Sequence, residues 1–251
     1  LPGAPACVAG RDRRSTLTQI ASDTLVLVTA RNGSKRLPGK NLRQLAGRSL
    51  LAWTADAARA DLPDVEVLLS TDGEEIATEG RRLGWAVPFV RPQELASDSA
   101  SSVGVALHAL DWHAQTYGRL PARVLMLQPT SPFRPRGLLR EAIGLMDGDD
   151  ALEAVIAVKR VSVGVAHVYG EAAGRLQPIS PGADAGQACY VPSGALYLIR
   201  TDALQRERSF IPPATGLVPH GGLSTLDIDD LDDWSLAEAV SARFLELSKT
   251  D

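Results

Sequence analysis

Four cations crowd into ten residues: Arg31, Lys35, Arg36 and Lys40 share the stretch RNGSKRLPGKN (31–41), with Gly33 and Gly39 set among them. Glycine frees the backbone to present N–H groups to an anion, and cations at this density suit a polyphosphate. The loop is not a Walker A loop, because five residues separate Gly33 from Gly39 and Asn41 follows Lys40. Charge alone reads equally well as a solvated basic surface loop.

A second constellation is Asp227-Ile228-Asp229. In an extended segment residues i and i+2 share a face, so both carboxylates can aim at one spot. A hard divalent cation takes one or two carboxylates together with substrate phosphates. The competing reading is a strand end entering an acidic helix N-terminus, where Asp230, Asp232 and Asp233 suit the helix dipole. Ser70-Thr71-Asp72 and RPQELASDSASS (91–102) also combine hydroxyls with charge, although helix capping accounts for them too. Gln128-Pro129-Thr130-Ser131-Pro132 closes another apolar run. His108, His113, His167 and His220 show no metal-ligand spacing and read as helix-surface or loop residues. Ser34 lies in no G-x-S-x-G elbow, so a hydrolase triad has no support. Trp53, Trp85, Trp112 and Trp234 read as core or interface anchors.

The elements that must position these groups alternate. TLVLVTA (24–30), VEVLLSTD (65–72), WAVPFV (85–90), RVLMLQ (123–128) and ALEAVIAVKRV (151–161) read as buried strands. Between them SLLAWTADAARA (49–60, capped by Ser49), GEEIATEGRRLG (73–84, closed by Gly84), 101–118 and 136–146 read as helices. SGALYLIR (193–200) and STLDID (224–229) read as later strands, and 229–248 as a terminal helix. The alternation predicts an α/β fold with a doubly wound, mostly parallel sheet, whose ligands sit beyond the carboxyl ends of the strands. Residues 162–187, rich in Gly, Ala and Pro, break the rhythm and read as a hairpin arm. Residues 1–22 read as a disordered N-terminal extension, leaving 23–251 as one domain.

Composition narrows the classes. The chain has 251 residues, 45% hydrophobic, which is ample for a core. A net charge of −4 argues against a general nucleic-acid binder, so any bound anion must be met by local cations. Cys7 and Cys189 form no disulfide framework, which favours a reduced, cytoplasmic setting. No stretch approaches the roughly 18–20 apolar residues of a spanning helix, so no membrane partner is expected.

In order and spacing, TARNGSKRLPGKNL, LLSTDGEEIA, RPQELASDSASS, LMLQPTSPFR, PSGALYLI and LDIDDLDDW resemble the acylneuraminate cytidylyltransferase (CMP-sialic acid synthetase) family over roughly residues 25–245. The resemblance implies a Rossmann-like domain with a projecting dimerisation arm, a homodimer, and transfer of CMP from CTP to a small acidic acceptor with Mg²⁺ or Mn²⁺. By that likeness Arg31, Ser34, Lys35 and Lys40 hold the triphosphate, and Asn41 reaches the ribose region. Arg91, Ala100 (through its backbone) and Ser102 read cytosine and ribose, and Gln128 lines the acceptor side. Asp227 and Asp229 are the implied metal ligands, with Arg31, Lys40 and Asp229 closest to the chemistry.

The departures all fall on the acceptor side. Ala183 stands near one arginine position of the family, and Val191 and Ser193 replace an arginine and an asparagine. VSVGVAHVY carries no arm lysine, and Lys159 lies upstream. The family's default acceptor is a nonulosonic, sialic-type acid; lost sugar contacts admit a small phosphonate or carboxy-phosphonate as the alternative. A non-catalytic nucleotide-binding homologue fits the retained Asp227 and Asp229 less well. A dinucleotide-dependent oxidoreductase lacks its G-x-G-x-x-G after the first strand.

Overall fold

The computed structural model describes residues 23–161, 164, 168–172, 175–178 and 188–247. The extension expected over 1–22, much of the arm, His167 and Ala183 lie outside the described residues. A six-stranded sheet forms the middle layer, in the order β10 (Thr215–His220), β6 (Ala154–Val161), β9 (Cys189–Arg200), β5 (Arg123–Leu127), β1 (Thr24–Thr29), β4 (Val67–Ser70). Only β9 runs against its neighbours; β1 pairs in parallel with β4 and β5, and β6 with β10. The expected mostly parallel α/β architecture is what the chain forms. β2 (Gln44–Leu45) and β3 (Arg48–Ser49) make a small separate ladder that leads into the first helix.

Both faces of the sheet are covered, which is why strands such as TLVLVT are apolar throughout rather than alternating. α1 (Leu50–Asp61), α2 (Glu74–Arg82) and α4 (Leu138–Gly148) supply Leu51, Ala55, Ile76, Leu139 and Ile143 to one face. α3 (Ser102–Tyr117) and α5 (Thr201–Glu207) supply Ala106, Leu110 and Leu204 to the other. Caps set the helix ends: the Ala52 N–H donates to Ser49 Oγ, the Gly104 N–H donates to Ser101 Oγ, and Gly118 ends α3 in the left-handed region at φ 69°.

A third apolar cluster joins two of the charged segments. Leu37, Leu45, Leu50, Trp53, Phe133, Ile228 and Trp234 pack together, the last from α6 (Leu231–Leu247). Leu37 belongs to the basic loop and Ile228 separates the two aspartates, and both are essentially fully buried. Burying a leucine or isoleucine stabilises by about 1.5–3 kcal/mol. Two charged segments nearly 200 residues apart are thereby pinned against each other through their apolar members.

Two expected strands do not form as drawn. Over 85–90 there is one parallel bridge, Leu68 to Ala86; Pro88 has no N–H to continue a ladder. At 224–229 the chain makes a 3₁₀ turn (Gly222–Thr225) and then a run outside any strand, and the late strand is instead β10, which the prolines of 212–219 obscured. At the 162–187 break, β7 (Tyr169–Ala172) and β8 (Arg175–Pro178) form an antiparallel hairpin, fed by β6 and β9, which stay paired out to Val161 and Cys189.

Candidate active site

The groups singled out in the sequence line one rim, at the carboxyl ends of β4, β1 and β5 and across β9. The Ala30 N–H donates to the Ser70 carbonyl (3.1 Å), tying the exits of β1 and β4. Arg31 follows at once. Its guanidinium pairs with Asp98 (2.7 Å) and lies 3.5 Å from the Ala96 carbonyl, while Lys35 Nζ reaches the other Asp98 oxygen at 2.5 Å. Asn41 is buried and its amide donates to the Arg31 carbonyl (3.1 Å), so the loop closes back on its own start. The Ser34 N–H donates to the Asn32 carbonyl within the turn. Lys35, and Arg31 after it, hold the Asp98 carboxyl below the usual carboxylate range.

Further along the same loop, Lys40 Nζ donates to the Ile228 carbonyl (3.0 Å) and to Asp229 Oδ1 (3.1 Å), and Arg36 donates to Asp229 Oδ2 (2.6 Å). Burial on its own would raise the Asp229 pKa, but the bonds from Lys40 and Arg36 outweigh it and the net shift is downward. A reciprocal cap fixes the backbone here. Asp233 accepts from the Asp229 and Asp230 N–H groups, and Asp230 accepts from those of Asp232 and Asp233. The acidic-helix reading is thus realised by Asp230 and Asp233, while Asp229 carries the ion pairs with the loop.

Asp227 faces the β5 exit. The Ile228 N–H donates to the Thr130 carbonyl (2.8 Å), and the Ser131 hydroxyl lies 3.3 Å from Asp227 Oδ1 and 3.1 Å from the Ser193 carbonyl. Gly194 crosses directly beneath at φ 78°, where a Cβ would come within 2.8 Å of Gln128 Oε1 and of Ser131 Oγ and 3.6 Å of Asp227 Oδ1. Only glycine allows that backbone conformation and that closeness together. Gln128, Ser131 and Asp227 thus converge over one glycine.

The remaining expected residues stand at the β4 end. Arg91 is buried: Nε donates to Ser70 Oγ (3.0 Å), Nη2 to the Ser70 carbonyl, and its own N–H to the Thr71 carbonyl (2.8 Å). Burial pushes its pKa down to about 10, with Asp72 opposing, so it remains a cation at neutral pH. The Ala100 N–H donates to the Ser97 carbonyl (3.2 Å), and Ser102 opens α3. These groups flank the loop cations without touching Asp227 or Asp229, which gives the rim a β4 side and a β9 side.

Three participants escaped sequence reasoning. Asp98 stood inside RPQELASDSASS without a role. Arg134, fully buried, donates to the carbonyls of Ala195 (2.7 Å) and Gln128 and to Thr54 Oγ1 (3.2 Å), and so braces the β5 exit against β9. Burial lowers its pKa to about 9, with Asp227 opposing. The arginine after TSPF was visible as a cation at a strand end; its burial was not.

The third is His220, read as a surface or loop residue. It ends β10 half-buried, with Nε2 2.7 Å from Ser193 Oγ and Nδ1 3.0 Å from Ser224 Oγ. Ser193 Oγ also donates to the Ala157 carbonyl (3.1 Å), so this serine is turned into the sheet. Burial, and then Arg134, push His220 below its ordinary value near 6.5. Between the folded and unfolded pKa values the unfolded chain binds the extra proton. The stability from His220 is thus full above about pH 6.5 and is lost as pH falls through the folded value. The wild-type melting temperature should drop more between about pH 7.5 and pH 5.5 than that of His220→Asn. Equal drops would show that the imidazole titrates normally.

The chain is similar to known proteins in both sequence and fold. The profile of the family described as Cytidylyltransferase matches residues 25–142. The chain is 31% identical over 221 residues to CMP-N,N'-diacetyllegionaminic acid synthase of Legionella pneumophila, covering 85% of this chain and 94% of that protein. It is 35% identical over 136 residues to N-acylneuraminate cytidylyltransferase of Escherichia coli, covering 54% of this chain and 31% of the relative. Its fold matches a solved structure of CMP:2-keto-3-deoxy-manno-octonic acid synthetase complexed with CTP, with a TM-score of 0.65 and 18% identity over 88% of this chain and 99% of that one. Among the described residues no helix is long and apolar enough to cross a membrane. With a match along almost the whole of a curated relative and the family's motifs gathered on one rim, the chain belongs to the acylneuraminate cytidylyltransferase (CMP-sialic acid synthetase) family and is a nucleotidyltransferase.

Proposed function

We propose that the protein attaches CMP from CTP to a nonulosonic acid, releasing pyrophosphate. The observation that supports this reading is the pairing of Lys40 and Arg36 with Asp229, which joins two cations proposed for the phosphates to the carboxylate proposed for the metal. Arg31, Ser34, Lys35 and Lys40 take the triphosphate, and Asn41 reaches toward the ribose. Arg91, Ala100 and Ser102 serve the nucleoside on the β4 side. Gln128 serves the acceptor on the β9 side.

Asp227 and Asp229 flank the buried Ile228 and offer two hard oxygen donor groups. Among the described residues no group of three or more His, Cys, Asp or Glu could hold a metal. A pair of this kind fits Mg²⁺ or Mn²⁺, which completes its shell with phosphate oxygens and water. Such an ion would neutralise charge on the phosphates and lower the acceptor's pKa. The acceptor hydroxyl oxygen bonds to the α-phosphorus in line, and the bond from the α-phosphorus to the α,β-bridging oxygen breaks. Its electron pair leaves with pyrophosphate, and the hydroxyl proton passes to solvent. Arg31, Lys35, Arg36 and Lys40 stabilise the charge gathering on the leaving group, the dominant electrostatic term in such transfers.

The nonulosonic acceptor is supported by the relatives, whose names specify diacetyllegionaminic and N-acylneuraminic acids. The Ser193 hydroxyl is spent on His220 and Ala157, so the acceptor's substituents are read by other side chains. Pyrophosphate release should require CTP over other nucleoside triphosphates and a nonulosonic acid over Kdo or small phosphonates. Release with a phosphonate alone would keep CMP transfer and move the acceptor class.

The β7–β8 hairpin, which lies between β6 and β9 in the chain, suits a homodimer arm. Sedimentation at micromolar concentration should give a dimer, and a monomer would remove the arm's role. Reliance on CTP and the two-cysteine composition fit a cytoplasmic enzyme, which cell fractionation would test.

A further inference from the structure

Asp98 is a rim carboxylate that the proposed chemistry does not use and that pairs with two cations of the loop. It stands on the segment between Arg91 and Ser102, bridging Arg31 with one oxygen (2.7 Å) and Lys35 with the other (2.5 Å). A carboxylate that spans two cations in this way has the geometry of a phosphate edge. Asp229 treats Arg36 and Lys40 likewise, so all four cations of the loop carry an internal anion. The two anions differ in one respect: Asp229 has a further use as a metal ligand and Asp98 has none.

We infer that Asp98 is a specificity-determining residue of the phosphate loop, an internal anion that any phosphate ligand must displace from Arg31 and Lys35. This rests on the loop holding the triphosphate of CTP. Because Asp98 is tethered, its effective concentration at the two cations exceeds that of free inorganic anions. Salt anions, which meet the cations singly, lose that competition. A polyphosphate, which brings several charges to several cations at once, wins it. When pyrophosphate leaves, the carboxylate returns to both cations and opposes rebinding. Asp98 is partly exposed, so the exchange needs only a side-chain rotation or a small shift of its turn.

The test is calorimetric titration of the full chain with inorganic pyrophosphate and with CTP, at low ionic strength and without metal, so that only the loop cations hold the anion. Asp98→Asn should bind pyrophosphate roughly five- to tenfold more tightly than wild type, the size expected when two exposed ion pairs need not be broken. Glu94→Gln removes the same charge from the same exposed segment without breaking a pair to the loop, and should change affinity less than about twofold. Pyrophosphate binding that is unchanged or weaker in Asp98→Asn, while wild type still binds CTP, overturns the displacement and leaves the loop assignment standing. An equal gain in Glu94→Gln reduces the effect to a general field and also overturns it. Wild type that binds neither ligand overturns the loop assignment and this inference together.

Discussion

Asp229→Ala should lower metal-dependent kcat by about 10³-fold, near 4 kcal/mol of transition-state stabilisation, while leaving the fold intact. The side chain is 42% exposed, so its pairs with Lys40 and Arg36 contribute only about 0–1 kcal/mol each to stability. What the variant loses is a carboxylate at the point where cation loop and acceptor side meet. Mn²⁺ affinity in the presence of CTP should weaken together with the rate. The melting temperature should stay within about 3 °C of wild type, since 1 kcal/mol moves a chain of this size by roughly 2–4 °C. Retained turnover would remove Asp229 from the metal site, and a large loss of melting temperature would make it a structural residue.

Arg134→Ala should act the other way round, on stability first. The guanidinium is fully buried and its donors go to the Ala195 and Gln128 carbonyls and to Thr54 Oγ1. Truncation leaves those acceptors unsatisfied and opens a cavity, a cost of about 3–5 kcal/mol. Melting should fall by roughly 8–15 °C. Arg134→Lys should recover little, because an ammonium cannot serve three acceptors set in a fork. Arg136→Ala, two residues on and exposed, should move stability by no more than about 0.5 kcal/mol. Near-equal melting of the Arg134→Ala and Arg136→Ala variants would show that the buried network contributes nothing.

Periodicity made the sheet and its helices legible, because strands covered on both faces need unbroken apolar runs and Ser49 and Gly84 punctuate the helices as their chemistry requires. The misread strands come from the same physics. WAVPFV is apolar, but Pro88 denies it a ladder, while β10 carries Pro219 and still pairs because it is an edge strand. Of the candidate site, the charged groups were visible as clusters, whereas the joining of loop and aspartates depends on Leu37 and Ile228 entering one apolar cluster. No local pattern encodes a contact between residues nearly 200 apart. Ser193 shows the opposite limit: its replacement of asparagine could be read, yet its turn into the sheet toward His220 and Ala157 could not.

The central claim, CMP transfer to a nonulosonic acid, is tested most directly by ³¹P NMR and mass spectrometry of the full chain with CTP, Mg²⁺ and a diacetylated nonulosonic acid. The expected result is the loss of the CTP triphosphate resonances, the rise of pyrophosphate, and one new phosphodiester signal with the mass of a CMP-linked sugar. Unchanged CTP, or hydrolysis to CMP with no sugar-linked phosphodiester, would contradict it.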